Sequence, residues 1–239
     1  SAAGFSGLPN LGPSVAPTNS YLTDVLTEQA VGQIKIAAAE EAAFVMYLSH
    51  YAVHTPIQAP AATVQKYQAK LNNNPGMDWR GQTNPTYAAM VEALDTGVGR
   101  VLDRLEELGL EENTIVIFMG DNGTAAGAGN GLNDGFNAGM RGKKGSVFEG
   151  GHRVACFVRW PRGLEAGHEI RQLTSCRDWL PTLIELCNLH APKNIRFDGK
   201  SLVPLLTQKA QSWPDRTLFV ERQGDQPTLD DPDGPRARY

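Results

Sequence analysis

The order of the apolar runs is the feature that most constrains the fold of this chain. Residues 43–48 are continuously apolar, which predicts a short strand covered on both faces. Residues 87–108 carry apolar side chains at three- and four-residue steps, which is the period of a helix, and Gly109 provides its stop. A second apolar run, residues 114–119, predicts another strand buried on both faces and leads directly into Gly-Asp-Asn-Gly at 120–123. Strand, helix and strand in this order predict a βαβ arrangement and therefore an α/β fold.

The rest of the chain predicts further elements of the same kind. Thr27 is placed to cap a helix whose inward face includes Val31 and Ile34. Pro56 and Pro60 are expected to end any regular structure after the first strand. The other predicted elements are a strand over residues 153–160, a helix over 178–189 and a last strand over 218–220, with a long surface loop over 123–139.

Composition excludes several classes of protein. The 239 residues carry 22 Lys and Arg against 26 Asp and Glu, a formal net charge of −4, which gives no electrostatic reason to expect nucleic acid as a partner. No apolar run approaches the roughly 20 residues needed to span a membrane. The 3 cysteines, Cys156, Cys176 and Cys187, include no Cys-x-x-Cys pair. They argue against a disulfide framework or a zinc ribbon and predict buried free thiols.

Polar side chains follow both predicted strands, at the edge of an open α/β sheet where ligands bind. His54 comes shortly after the first strand, and Asp121 and Asn122 follow the second. Flanking Gly120 and Gly123 are expected to permit the turn that lets both side chains reach one ion. Carboxylate and amide oxygens suit calcium or magnesium, whereas the alternative is a simple Asx turn at the end of a strand.

The other candidate residues each have a functional and a structural interpretation. His54 could donate a proton to a leaving group, or it could be a packed or surface histidine. His50 and His54 are four residues apart, but the glutamate of a His-Glu-x-x-His zinc site is missing between them. Lys143 and Lys144 precede a glycine after the long loop, where a lysine could contact sulfate or phosphate or simply be solvated.

Four segments in matching order resemble the sulfatase family of the alkaline-phosphatase-like superfamily. They are residues 47–56 (Tyr-Leu-Ser-His-Tyr-Ala-Val-His-Thr-Pro), 87–95, 116–123 and 141–151. Val53 departs from the pattern, because the family often has proline before His-Thr-Pro. The resemblance implies an α/β sandwich with a mixed, mainly parallel sheet between helices, incomplete in this chain.

The resemblance also implies a role for four residues. His54 corresponds to the histidine that contacts the sulfate ester and protonates the leaving oxygen, and Lys144 to the lysine that holds sulfate oxygens. Asp121 and Asn122 correspond to calcium ligands. The implied activity is hydrolysis of sulfate esters on a small molecule or a glycan, with calcium and a formylglycine nucleophile as cofactors.

The nucleophile of that family is expected outside this chain. Formylglycine is made from Cys or Ser in a Cys/Ser-x-Pro-x-Arg motif, which the family places upstream of the His-Thr-Pro segment. None of the three cysteines has proline two places on, and no serine is expected to replace them, so the motif is expected to be absent from this chain. The aspartate pair that would complete the calcium shell is also missing, and calcium takes about six to eight oxygen ligands. The chain alone is therefore expected to bind calcium weakly and to leave sulfate esters intact.

These expectations define the domain organisation. Residues 1–20 are expected to be irregular, 21–220 to be the C-terminal part of a sulfatase catalytic domain, and 221–239 to be a tail toward a missing subdomain. Residues 1–19 have no signal-peptide pattern, and a periplasmic or secreted location is the expectation for a full-length protein. The alternatives are a phosphodiester or phosphonate hydrolase of the same superfamily and a non-catalytic sulfate-binding relative. Oligomeric state and the particular ester stay open.

Overall fold

The computed structural model describes residues 20–125, 127–129, 135–191, 194–210 and 212–220. The chain divides into two compact units. The first contains the described residues up to Thr114 and those from Met119 to Cys156. The second contains Ile115–Phe118 and the described residues from Phe157 onward. No shift in composition marks this division in the sequence.

Three helices build most of the first unit. They are α1 (Leu22–Ala39), α2 (Ala61–Asn72) and α3 (Pro85–Glu107), and both α1 and α2 pack on α3. The second of these helices is absent from the sequence prediction. Its signal is present, since Val64, Tyr67 and Leu71 recur at three- and four-residue steps directly after Pro60.

The ends of α3 are set by local chemistry. Asn84 caps its start, because the side-chain oxygen accepts from the backbone N–H groups of Thr86 at 2.9 Å and Tyr87 at 3.2 Å. At the other end Gly109 adopts a positive φ of 65° and donates to the carbonyl of Glu106, which ends the helix as predicted.

The contact between α1 and α3 forms the core of the first unit. Val31 and Ile34 of α1 are buried, as predicted, and Met90 and Leu105 are buried on α3, the helix on which α1 packs. The predicted cap at Thr27 is wrong, because α1 begins five residues earlier at Leu22. The Thr27 hydroxyl instead donates to the carbonyl of Thr23 at 2.9 Å and is fully buried.

Residues 43–48 do not form the predicted buried strand. They carry no regular secondary structure, and burial alternates along them. Val45 and Tyr47 are 92% and 93% exposed, whereas Phe44, Met46 and Leu48 are partly buried. A strand needs a hydrogen-bonded neighbour, and among the described residues only β1 (Val116–Met119) and β2 (Cys156–Arg159) pair in a sheet.

The two paired strands correspond to predicted runs but are shorter and more exposed. Most of both strands belongs to the second unit. Phe118 is 39% exposed and Phe157 is 66% exposed, and their rings lie 6.4 Å apart between centroids. The expectation that the second apolar run would be covered on both faces is therefore wrong for the described part of the chain.

The second unit packs around α5 (Trp179–Leu186) and α6 (Val203–Leu206). A short 3₁₀ turn, Cys176–Asp178, precedes α5, so the predicted helix over 178–189 is confirmed with narrower bounds. Leu202, Leu205 and Leu206 are buried, and partly buried apolar residues pack against them. These are Val158, Leu164, Ile170, Trp179, Leu186, Ala210 and Trp213.

A buried ion pair organises the same unit. The Asp178 carboxylate has no exposed surface and accepts from Arg216 Nη1 at 2.8 Å, from Arg216 Nη2, and from the backbone N–H groups of Ser175 and Lys200 at 2.7 and 2.9 Å. Burial by itself would raise the pKa of Asp178, but these hydrogen bonds together outweigh it and hold the pKa below its ordinary value.

Two smaller expectations are also wrong. Residues 218–220 form no strand, and Phe219 is 80% exposed. Cys156, Cys176 and Cys187 form no disulfide, and all three are exposed rather than buried. Within the described ranges, no helix combines the length and apolar character needed to cross a bilayer.

Exposure predicts how strongly two apolar side chains support the first unit. Ile34 is 1% exposed, so Ile34→Ala should lower the free energy of unfolding by about 2–5 kcal/mol. Val45 is 92% exposed, so Val45→Ser should change it by less than about 0.5 kcal/mol. Urea denaturation of both variants checks this, and a large loss in Val45→Ser would contradict the exposed placement of residues 43–48.

Removal of Arg216 should destabilise the second unit through Asp178. Because Arg216→Ala leaves a buried carboxylate unpaired, we expect a loss of about 3–5 kcal/mol at neutral pH, measured by urea denaturation. The matched control is Arg171→Ala, whose pair with Glu169 is 81% and 69% exposed and should cost less than about 1 kcal/mol.

The same ion pair predicts a pH dependence. The folded pKa of Asp178 is depressed, so its contribution is complete above its ordinary pKa of 3.8 and is lost as the pH falls through the folded value. Arg216→Ala should remove that acid-side loss, because its Asp178 no longer gains from ionisation. An unchanged acid profile in the variant would contradict this assignment.

Candidate active site

Asp121 and Asn122 follow β1 in a tight turn. The Asp121 side-chain oxygen Oδ1 accepts from the backbone N–H of Asn122 at 2.9 Å. The Asp121 side chain is exposed and that of Asn122 is half-buried. This bond joins adjacent residues, whereas an Asx turn needs the N–H two residues on. That N–H, at Gly123, donates to the carbonyl of Gly151 at 2.9 Å, so the Asx turn expected as the alternative to a ligand pair is not formed.

The glycines around this pair serve close packing rather than an unusual φ. Neither Gly120 nor Gly123 has a positive φ, so the expected reason for these glycines is wrong. Gly123 donates to the carbonyl of Gly151 at 2.9 Å, and a Cβ at Gly123 would lie 1.8 Å from the carbonyl oxygen of Gly150. Only glycine allows this approach to α4 (Glu149–His152), which holds the loop after Asp121 and Asn122 in place.

Lys144 lies at the corner of a turn. The backbone N–H of Ser146 donates to the carbonyl of Lys143 at 2.9 Å, and Gly145 has a φ of 84°, as the third position of a type II turn requires. The Lys144 side chain is exposed at this corner. Its backbone N–H donates to the carbonyl of Thr124 at 2.8 Å, which attaches the lysine turn to the loop that carries Asp121 and Asn122.

His54 is exposed, and its ring is oriented by the next residue. Nδ1 lies 2.9 Å from the carbonyl oxygen of Thr55 and 3.3 Å from the Thr55 hydroxyl. A carbonyl oxygen only accepts, so Nδ1 carries the hydrogen in that bond. This leaves Nε2 as the nitrogen available to a substrate.

Thr124 connects these segments to α3, a connection that the sequence prediction missed. The Thr124 side chain shares a hydrogen bond with the Tyr87 hydroxyl, whose pKa is raised by burial against the opposing effect of that bond. The Asn84 side chain donates to the carbonyl of Gly127 at 2.7 Å. The Asn-Pro pair at 84–85, a helix cap followed by proline, is the sequence signal that could have identified this junction.

The four predicted site residues thus belong to loops that meet at the start of α3. Among the described residues, no hydrogen bond or ion pair joins the side chains of His54, Asp121, Asn122 and Lys144 directly. The link from the histidine segment runs through Ile57, whose Cδ1 would lie 3.2 Å from a Cβ at Gly127. The side chains of His54, Asp121 and Lys144 remain exposed, whereas that of Asn122 is half-buried.

The chemistry of Asp121 and Asn122 fits a hard cation, but their number does not complete a shell. Oxygen donors suit calcium, which takes about six to eight of them. The described part of the chain contains no group of three or more His, Cys, Asp and Glu residues that could hold a metal ion. These two residues can therefore supply only part of a calcium site.

His50 differs from His54 in its surroundings. Both of its ring nitrogens are buried and have no hydrogen-bond partner among the described residues. Burial lowers the pKa of the ring, which favours the neutral form. The two histidines are therefore unlike, and His50 is suited to packing rather than to proton donation.

Residues 212–216 spell Ser-Trp-Pro-Asp-Arg and so match Ser-x-Pro-x-Arg, downstream of His54 rather than upstream. The expectation that the motif is absent from the whole chain is wrong in this literal sense. The structure gives this segment a packing role, because Arg216 is paired with Asp178 and Trp213 packs against the core of the second unit. Its arginine is therefore committed to the ion pair.

The comparisons with known proteins identify one family. The Sulfatase family model matches residues 6–189. The chain is 32% identical to the uncharacterized sulfatase YdeN of Escherichia coli over 205 residues, which is 84% of this chain and 34% of that protein. It is 35% identical to the steryl-sulfatase of Mus musculus over 220 residues, covering 85% of this chain and 33% of the relative.

Solved structures agree with the sequence comparison. Ps i-CgsB in complex with k-i-k-neocarrahexaose aligns with a TM-score of 0.66 and 31% identity over 79% of this chain and 39% of that chain. The phosphonate monoester hydrolase SpPMH from Silicibacter pomeroyi aligns at 0.53 and 21% identity over 88% and 46%, which shows a shared fold alone. These neighbours have the alkaline-phosphatase-like fold, which confirms the predicted α/β class.

The match covers most of this chain but only part of its relatives. The chain spans about a third of the length of the curated sulfatases that it matches. The family model nevertheless includes His54, Asp121, Asn122 and Lys144 within its matched range. Sequence, fold and family model agree, and this chain belongs to the sulfatase family.

Proposed function

We propose that this chain contributes the leaving-group and sulfate-binding side of a sulfuric ester hydrolase. The observation that carries the proposal is the junction at Thr124, which joins the Asp121-Asn122 loop to the Lys144 turn through a 2.8 Å backbone bond. Two oxygen donors and one ammonium on adjoining loops form a polar surface suited to a tetrahedral anion and its counter-ion.

His54 is the proposed proton donor. Hydrolysis breaks the bond between sulfur and the ester oxygen, and the departing oxygen needs a proton when it belongs to an alcohol or a sugar. With Nδ1–H held by the Thr55 carbonyl at 2.9 Å, a protonated ring presents Nε2–H to that oxygen. The fixed orientation of the ring supports this role.

Lys144 is the proposed sulfate anchor. Its backbone is fixed by the bond to Thr124, while the exposed side chain carries a point charge that can follow sulfate oxygens. An ammonium near these oxygens stabilises negative charge on the sulfuryl group as the ester bond breaks. Among the described residues, Lys144 is the one cation that we propose for stabilising this negative charge.

Calcium and formylglycine are proposed for the complete site. Asp121 and Asn122 would hold part of the calcium shell. The remaining ligands and the nucleophile would come from residues outside the four sulfatase-like segments at 47–56, 87–95, 116–123 and 141–151. When bound, calcium stabilises negative charge on the sulfate, and formylglycine supplies the oxygen that attacks sulfur.

A sulfated glycan is the proposed substrate class. Ps i-CgsB was solved with k-i-k-neocarrahexaose, and its 31% identity over 79% of this chain supports an oligosaccharide substrate here. A sulfated small molecule is the second class, since the steryl-sulfatase of Mus musculus is 35% identical. The phosphonate monoester hydrolase SpPMH shares only 21% identity with this chain, so it does not support phosphonate hydrolysis as a second proposed function.

His54→Ala should lower turnover in the longer polypeptide that carries this segment together with a formylglycine motif. We expect kcat for a sugar sulfate to fall by about 10²-fold or more, because proton donation contributes this much. With p-nitrophenyl sulfate the loss should be much smaller, since nitrophenolate leaves without a proton. Steady-state kinetics with both substrates measures the difference.

His50→Ala is the matched control for that experiment. It changes a histidine of the same segment whose two ring nitrogens are buried, so it should leave the ratio of the two kcat values unchanged. Equal, small effects of the two substitutions on the sugar sulfate would remove His54 from the mechanism.

The 239-residue chain by itself should not hydrolyse sulfate esters. It should also bind calcium weakly, so that about 1 mM calcium, the range of weak extracellular sites, leaves the thermal midpoint unchanged. Release of p-nitrophenol from p-nitrophenyl sulfate and a thermal melt with calcium or with EDTA test both statements. Clear turnover by the purified chain would contradict the proposed division of the active site.

A further inference from the structure

A groove lies between the end of α2 and the start of α3, apart from the four predicted site residues. It has a volume of about 600 Å³, within the usual range of small-molecule sites. Its apolar walls come from Leu71, Pro75, Trp79 and Pro85. Its polar lining consists of the side chains of Gln68, Asn72 and Thr83, and none of these seven residues is charged.

The loop between the two helices fixes the position of Trp79. The Asn74 side chain donates to the carbonyl of Lys70 at 2.8 Å, which holds the loop against the end of α2. After Trp79, the backbone N–H of Gln82 donates to the carbonyl of Trp79 at 2.8 Å. The indole is half-buried, so it forms a wall of the groove rather than a freely moving side chain.

The lining matches the surface of a sugar ring. A pyranose has C–H groups on its faces, which pack on an indole, and hydroxyl groups around its rim. The side-chain nitrogen Nε2 of Gln68 donates to the side-chain oxygen Oδ1 of Asn72 at 3.0 Å. Within the described residues, this leaves the side-chain NH₂ group of Asn72 and the side-chain oxygen of Gln68 without another partner. An amide pair that both donates and accepts suits hydroxyl groups, whereas an apolar ligand would leave it unpaired.

The charge beside the groove favours a glycan that carries sulfate. Lys70 Nζ lies over the Trp79 ring, 6.0 Å from its centroid. This ammonium is exposed next to an uncharged lining and can meet a sulfate group on a sugar without desolvation of an opposing carboxylate. The ring itself would be held by stacking and hydroxyl contacts, and the sulfate would add affinity.

The groove adjoins the loops of the candidate active site. Pro85 lines the groove and is the first residue of α3, where Asn84 binds the loop at Gly127. The Arg80 guanidinium, one residue after Trp79, lies 5.8 Å from the centroid of the Phe136 ring, which falls between Asn122 and Lys144 in the sequence. One end of α3 therefore carries both the groove and the attachment of the catalytic loops.

We propose that the groove between α2 and α3 binds a pyranose ring of the glycan whose sulfate ester occupies the candidate active site. The placement of the ester rests on the proposed function, but binding of the sugar ring does not require turnover. Trp79 is the stacking residue, Gln68 and Asn72 bind hydroxyl groups, and Lys70 meets sulfate on the bound chain.

The experiment is a titration of the ¹⁵N-labelled 239-residue chain, followed by NMR at the indole N–H groups of its 4 tryptophans. The probes are k-i-k-neocarrahexaose, the same hexasaccharide after chemical desulfation, and sodium sulfate, each to about 10 mM to reach millimolar affinities. We expect both sugars to shift the Trp79 indole, the sulfated one at lower concentration. Sodium sulfate should leave that indole unchanged.

Three variants separate stacking from general damage. Binding by the Trp79 variants is followed at the side-chain amide signals of Gln68 and Asn72, which line the same groove. Trp79→Ala should weaken binding of the desulfated sugar at least about tenfold, and Trp79→Phe should retain most of it, because a smaller aromatic ring still stacks. Met77→Ala is the matched control, since Met77 is a 53% exposed apolar residue of the same loop that does not line the groove. The indole shifts of the other three tryptophans report whether each variant is folded.

The outcomes also separate this inference from the proposed function. No shift of the Trp79 indole with either sugar, an equal shift with sodium sulfate alone, or unchanged binding by folded Trp79→Ala would each overturn the groove proposal. None of these results alters the kinetics expected of His54→Ala. Conversely, sugar binding here would persist if the longer polypeptide proved inactive toward sulfate esters.

Discussion

The side chain of Asn84 holds the candidate active site to the rest of the first unit. Its oxygen accepts from the first turn of α3 at 2.9 and 3.2 Å, and its nitrogen donates to the carbonyl of Gly127 at 2.7 Å. One side-chain amide therefore caps the start of α3 and anchors the loop at Gly127. Without it, two helix N–H groups and one carbonyl lose their partners, and each such loss costs about 1–3 kcal/mol when the group is buried.

The loops of the candidate site are joined by close backbone contacts, whereas most of its side chains are exposed. Gly123 packs so closely on Gly150 that a methyl group would not fit, and Thr124 binds both Lys144 and Tyr87. Asp121, Lys144 and His54 nevertheless remain exposed. This arrangement suits a surface that binds an anion from solution, because fixed loops reduce the entropy lost when the charged side chains meet their ligand.

Local pattern predicted the helices of the chain better than its strands. Short stretches of sequence were enough to predict the apolar period of α3, the glycine at its end and the burial of Val31 and Ile34. The structure confirms all three features. The predicted strand over 43–48 failed because a strand requires a partner from elsewhere, and apolar composition alone does not supply one. Val45 and Tyr47 are exposed for that reason.

The identity of the polar residues after the apolar runs, together with their order, was enough to indicate the sulfatase family from sequence. The tertiary structure decided how their loops are joined. Thr124, Tyr87 and the groove around Trp79 carry no motif, because their roles depend on contacts between residues far apart in the chain. Chemistry that resides in residue types can be read from the sequence, whereas the distances that bring those residues together arise only when the helices and loops pack.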